Sequence, residues 1–145
     1  VSPRDPLATS HARAVLPNRY SRADAVANIQ AASLLGLAFA QGRGDLLRVA
    51  MADRIHQPYR AAMCPLLPLL LPLAGQQGIL GVALSGAGPS VLLILSGRDA
   101  IPGATGAVTQ ALAGHAEVEV ANVEFERLGG VESFQELSSQ AASRS

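Results

Sequence analysis

The chain has 145 residues, enough for one domain with one core and too few for two ordinary domains. Apolar residues supply 49% and charged residues 15%, which excludes disorder over most of the length, and with 3% aromatics and no Trp the core must come from Leu, Val, Ile and Ala. Eleven basic residues balance eleven acidic ones and every basic one is Arg, which excludes a Schiff-base lysine, a Walker-type phosphate lysine and the concentrated basic stripe of a nucleic-acid surface.

Residues 1–20 read as irregular, because Pro3, Pro6 and Pro17 prevent a long helix. Thr9-Ser10 offers a cap for a short turn through Val15. The chain opens Val1-Ser2-Pro3 without an initiator methionine and reads as cut from a longer polypeptide. Ser21 reads as the N-cap of a helix from Arg22 to about Gln41, with Asp24 favouring the dipole. Val26, Ile29, Leu34, Leu37 and Ala38 keep to one broad face, widened by Leu35 and Phe39. Gly42 and Gly44 end it, and Asp45 is expected to cap a second helix from Leu46 to about His56.

Pro58 starts a short turn, Tyr59 to Met63, and a helix is expected over 65–77 despite Pro72. The period then changes. Ile79–Leu84 and Val91–Leu95 read as buried strands around a small-residue turn. A helix from about Gly103 to Ala113 and a strand from Glu117 to Glu126 follow. Three strands make a thin sheet, and a further strand ending near Val1 would repair it. The class is α+β, a ferredoxin-like split βαβ arrangement with additional helices. The domain is placed over 1–127 and a frayed tail over 128–145.

Cys64 stands alone, so no internal disulfide forms and a reducing compartment fits. His11, His56 and His115 make no metal-ligand pattern with it, and Cys64 has no evident triad companion. The apolar run Pro65 to Ala74 is too short to span a bilayer, and Arg4, Asp5 and Pro6 interrupt any signal sequence. A soluble cytoplasmic protein, with no membrane or nucleic-acid partner, is the expectation. The Leu-rich stretch 66–73 and the sheet edge are expected to be exposed surfaces that could drive dimerisation.

Three segments carry side chains suited to chemistry. Leu84-Ser-Gly-Ala-Gly-Pro-Ser90 has glycines that permit positive φ and close approach to an anion, or it is a plain hairpin turn. Asp53-Arg-Ile-His-Gln-Pro-Tyr-Arg60 places His56, Tyr59 and Arg60 at a helix break. Arg60 there is either a planar grip for a carboxylate or a surface charge complementing a helix end. Arg13 lies among small apolar residues, either snorkelling or positioned as a cation. Asp24 and Asn28 share one helix face, and an interior Asn needs a partner unless it faces solvent.

Read together, "ATSHARAVLPNRYSRADAVANIQAASLL", "MADRIHQPYRAAMCP" and "GILGVALSGAGPSVLLI" resemble the C-terminal half of the GHMP kinases, in the homoserine kinase branch, over about residues 7 to 127. The resemblance implies ATP-dependent phosphorylation of the homoserine hydroxyl to O-phosphohomoserine, in threonine biosynthesis, with Mg²⁺ accompanying the nucleotide. It implies that Arg13 and Arg60 hold the substrate carboxylate, with His56 lining the pocket. Ser85, Gly86, Ala87, Gly88 and Pro89 match the family's third motif, a glycine loop facing the cleft. The family's N-terminal phosphate loop, of the form P-x-x-x-G-L-G-S-S-A, has no counterpart here. These 145 residues alone are therefore expected to bind no nucleotide and to lack kinase activity. Another GHMP small-molecule kinase, or a non-catalytic ferredoxin-like module that binds an amino acid, are the alternatives.

Overall fold

A computed structural model of the chain describes residues 1–3, 8–115 and 118–123. Among the described residues the α-helices and β-strands are, in order, β1 (Ser2–Pro3), α1 (Thr9–Ala14), α2 (Arg22–Gln41), α3 (Leu47–Ala50), α4 (Gln57–Arg60), α5 (Leu66–Leu70), β2 (Ile79–Leu84), β3 (Val91–Leu95), α6 (Ile101–Ala111) and β4 (Val118–Glu119). β2 and β3 pair antiparallel, as do β1 and β4. The class is α+β, as the sequence pattern predicts.

The β2–β3 hairpin is the middle layer. Ile79 and Val82 of β2 and Val91 of β3 pack on one face against Leu67 and Leu70 of α5 and Ala104 and Val108 of α6. On the other face, Leu80, Ala83 and Ile94 meet Ala38 of α2, Leu47 of α3 and Met51. A strand buried on both faces has to be apolar at every position, which the run ILGVAL satisfies. The ladder slips between Ile79 and Gly81, so two successive residues, Leu80 and Gly81, turn toward α3. A Cβ at Gly81 would lie 2.3 Å from Met51 Sδ and 3.3 Å from the Leu47 carbonyl, so the missing side chain is what lets α3 approach the sheet.

α2 starts and stops as predicted. The Ser21 hydroxyl accepts the Asp24 N–H at 3.0 Å, and Gly42 closes the helix at φ +66°. Its apolar face is less covered than expected: only Ala38 is buried, while Ile29 is 67% and Phe39 61% exposed. By length and composition alone α2 could cross a membrane, a test the expectation from the 65–74 run overlooked. α1 is a true helix whose N-cap is Ala8, without a side-chain bond, so Thr9 and Ser10 do not cap it.

The second long helix does not form. Asp45 is paired with Arg43 rather than capping, and α3 ends at Ala50. The chain over 51–56 is folded instead by the Asp53 carboxylate, which draws in backbone amides that a helix would have used. Pro72 cuts the expected 65–77 helix short, leaving α5 and a 3₁₀ turn over Leu71–Leu73. Leu66, Leu67, Leu70 and Leu73 are buried in the core, so of the leucines in the stretch expected to be an exposed surface only Leu71 is exposed, at 40%. Pro102 sits in the first turn of α6, which begins two residues before the expected start. β1 is a short strand inside the segment read as irregular. The tail expected over 128–145 lies outside the described residues, as do Glu117 and residues 124–126 of the expected last strand; of its described part, 118–123, only Val118–Glu119 is strand, and 120–123 is irregular.

Candidate functional site

On the α2 side of the hairpin a cavity of about 580 Å³ opens between α1, α2, the 51–57 turn, α4 and the start of the β2–β3 loop. Three locally determined features build it.

The first is the Asp53 turn. Asp53 Oδ1 accepts the N–H of Ile55 at 2.8 Å and of His56 at 3.1 Å, and Oδ2 accepts that of Gln57 at 2.9 Å. The burial of Asp53 opposes its charge, yet the three N–H groups, with His56 Nδ1 at 3.4 Å, hold its carboxyl below the usual carboxylate range. A depressed carboxyl stabilises the fold above its unfolded pKa, near 3.9, and loses that contribution as pH falls through the folded value. Asp53→Ala is therefore expected to cost about 2 kcal/mol at pH 7 and to flatten the acid limb of the stability profile below about pH 4. Urea denaturation of both proteins between pH 3 and 7 measures it, and parallel profiles would refute it.

The second feature is a pair of buried side chains on α4. Gln57 Nε2 donates to the Met51 carbonyl at 3.4 Å and its Oε1 accepts the Leu84 N–H at 3.0 Å, tying α4 to the end of β2. Arg60 is only 7% exposed. Its Nε donates to the Ala12 carbonyl at 3.0 Å and its Nη1 to the Gly86 carbonyl at 3.3 Å. One guanidinium thus joins α1 to the glycine loop, 48 and 26 residues away in sequence. Arg60 is not the surface charge of a helix end.

The third feature is that loop. Ser85 N–H donates to Ser90 O at 2.9 Å and Gly88 N–H to Ser85 O at 3.2 Å. Gly86 and Gly88 take φ of +64° and +85°, which an L side chain adopts only with strain. A Cβ on Gly88 would lie 2.6 Å from Cys64 Sγ, so this glycine is also needed for close packing. Burial pushes the Cys64 thiol up, against the opposing pull of Arg60, and the side chain is fully enclosed. It is a packing residue and not an activated nucleophile.

Of the residues singled out in the sequence, Arg13, His56 and Arg60 line this cavity together with Gly86 and Ala87. Ser85, Gly88 and Pro89 belong to the same loop but do not line it; Gly88 faces Cys64 instead. Asn28 lines it too, and its Oδ1 accepts the Arg54 N–H at 3.0 Å, while Asp24 Oδ1 lies 3.6 Å from Arg54 Nη1. Gln57 was missed: a glutamine before a proline carries no signal of burial. The Asp53 turn could have been found from an Asp placed just ahead of a helix-starting Pro58. Among the described residues no three His, Cys, Asp or Glu side chains gather as a cation site.

The family model for the C-terminal part of the GHMP kinases matches residues 37–113. The homoserine kinase of Deinococcus radiodurans is 58% identical over 86 residues, spanning 59% of this chain and 28% of that protein. The homoserine kinase of Solibacter usitatus is 53% identical over 93 residues, 64% of this chain and 30% of that protein. The crystal structure of homoserine kinase from Cytophaga hutchinsonii superposes with a TM-score of 0.69 at 25% identity, covering 77% of this chain and 35% of that one. The chain thus spans less than a third of the length of these two curated relatives. With a family model matching more than half its residues, this chain belongs to the GHMP kinases and carries their C-terminal domain.

Proposed function

We propose that this chain is the substrate-side domain of a homoserine kinase, and that its cavity holds the amino acid's carboxylate while the side-chain hydroxyl is phosphorylated to O-phosphohomoserine. The observation that supports it best is that Arg13 and Arg60, 47 residues apart in sequence, line one cavity beside Gly86. The identity to homoserine kinases supports the same reading.

A guanidinium carries five N–H donors in one plane. Arg60 commits its Nε and one Nη1 proton to backbone carbonyls, which locks its plane and leaves its other donors for a ligand. Arg13 is exposed at the rim, so its charge reaches the cavity at the cost of more side-chain freedom. Arg60 is therefore the fixed half of the grip and Arg13 the closing half. His56, also at the rim and held near Asp53, can donate to or accept from the ligand's polar groups. ATP supplies the phosphoryl group when bound. The described residues offer no lysine and no three-ligand cation cluster, so in this reading the nucleotide and Mg²⁺ are held by the part of the protein that corresponds to the remainder of the relatives' length.

Steady-state kinetics of the intact enzyme with homoserine test this reading. Arg13→Ala is expected to raise KM for homoserine roughly tenfold with a smaller change in kcat, as for a group that binds ground and transition states alike. An unchanged KM would remove Arg13 from the grip. Phosphorylation of carboxylate-free alcohols as readily as homoserine would move the chain to another small-molecule kinase. Homoserine binding without any ATP-dependent turnover by the intact protein would make it a binding module.

A further inference from the structure

The cavity between α2 and the hairpin is polar at one end only. The charged side chains that line it, Arg13, Asp53 and Arg60, gather where α1, the Asp53 turn and the glycine loop meet. Asn28 of α2 belongs to this end, because it holds the Arg54 N–H beside Asp53. Leu84 of β2 belongs to it as well, through its bond to Gln57. From there both walls run in the same direction and turn apolar. Along α2 the lining positions after Asn28 are Ala31, Ala32, Leu35 and Phe39, which share one helical face. Along the hairpin they are Ala83 with its ladder partner Leu92, and then Ile94, the partner of Gly81. Met51 lies between the walls, in one cluster with Leu35, Ala83 and Ile94. At the rise of an α-helix the stretch from Asn28 to Phe39 is about 16 Å long.

Homoserine uses little of that length. Beyond its α-carbon it has two methylenes and a hydroxyl, and in the reading above the hydroxyl faces the phosphoryl donor. Most of the apolar stretch is then left open, and Phe39 and Leu92 are exposed there. The whole cavity thus has the lining of a site for an amphiphile. Two guanidiniums suit a carboxylate at one end, the Asp53 charge suits an ammonium beside it, and no charged side chain lines the rest.

We propose that this cavity also takes amino acids whose side chains are apolar and longer than that of homoserine, with the carboxylate in the Arg13–Arg60 grip and the side chain along the Leu35–Phe39 wall. Such a ligand has no hydroxyl to phosphorylate, so it fills the grip without turnover and competes with homoserine. A side chain of similar reach that ends in a charge is rejected, because the far end of the cavity offers that charge no partner. The inference rests on the carboxylate grip proposed above, and on homoserine only for the competition.

Steady-state kinetics and titration calorimetry of the intact enzyme test it, with 2-aminobutyrate, norvaline and norleucine as probes. Inhibition is expected to be competitive with homoserine, with Ki falling about threefold for each added methylene. Lysine and glutamate should inhibit no better than 2-aminobutyrate. Norleucinamide, which lacks the carboxylate, should bind at least about tenfold more weakly than norleucine. Arg13→Ala should raise every Ki by a similar factor and keep the ratio between successive probes, because it acts on the shared head. Phe39→Asp puts a charge on the apolar wall and should flatten the series; the wild-type series decides the matter without any variant. A Ki that does not change with chain length, or inhibition that is not competitive with homoserine, overturns the proposal. Norleucinamide binding as tightly as norleucine overturns it too, since the apolar wall would then act without the grip. If the intact protein phosphorylates no homoserine yet calorimetry gives the same gradient along the series, the homoserine reading falls and this inference stands.

Discussion

Arg60→Ala is expected to lower the unfolding free energy by about 3 kcal/mol, the largest loss of any single polar substitution in the domain. The side chain is buried, and its guanidinium donates to carbonyls from two separate segments, Ala12 of α1 and Gly86 of the loop. Removal leaves both oxygens without that donor and opens a space the size of the side chain. Lysine at the same position keeps the charge but has no planar fork, so it can face one carbonyl and not both; less than half of the loss should return. In the homoserine reading the same substitution is expected to weaken substrate binding by about 2 kcal/mol or more, seen as a raised KM in the intact enzyme. Urea denaturation of wild type, Arg60→Ala and Arg60→Lys separates the two effects. Unfolding of the alanine variant within about 0.5 kcal/mol of the parent would show that Arg60 does not tie the site together.

The contrast between what the sequence revealed and what it hid follows from the range of the interactions. α2, β2 and β3 were legible because their determinants are local. Ser21 and Gly42 mark the helix ends, and two apolar runs flank a glycine turn. The segment 45–77 was not. A Leu-Leu-Arg-Val-Ala run reads as a helix start, but the Asp53 carboxylate competes for the next amides, and Pro72 tightens the last turn of α5 into 3₁₀ geometry. The exposure of α2 was illegible for another reason, since an apolar stripe specifies a surface to be covered and not what covers it. At the site, residue types pointed to Arg13, His56 and Arg60, and all three line one cavity. The sequence could not show that Arg60 spends part of its donor set on the backbone, because Ala12 and Gly86 contribute only carbonyl oxygens, which every residue has.

The glycine loop carries the second large effect. Gly88→Ala is expected to destabilise the domain by about 3 kcal/mol, and Gly86→Ala by only about 1 kcal/mol. The backbone cost is similar, since both residues hold positive φ, +64° at Gly86 and +85° at Gly88. The difference is steric. A methyl at Gly86 meets nothing within 4 Å, whereas one at Gly88 would sit 2.6 Å from Cys64 Sγ. Cys64 cannot swing away, because it is fully buried in the cluster that includes Leu67 and Val91. If overlap with the sulfur is the cause, Cys64→Ala should partly rescue Gly88→Ala, with a coupling of about 1–2 kcal/mol in a double-mutant cycle. Additive costs would place the defect in the backbone alone. The loop links this strain to the cavity, since Gly86 and Ala87 line it and Gly86 O holds Arg60. A shift of the loop away from Cys64 therefore moves the carbonyl that orients the guanidinium. In the intact enzyme Gly88→Ala should raise KM for homoserine, although Gly88 itself does not line the cavity, and Cys64→Ala should restore KM and stability together.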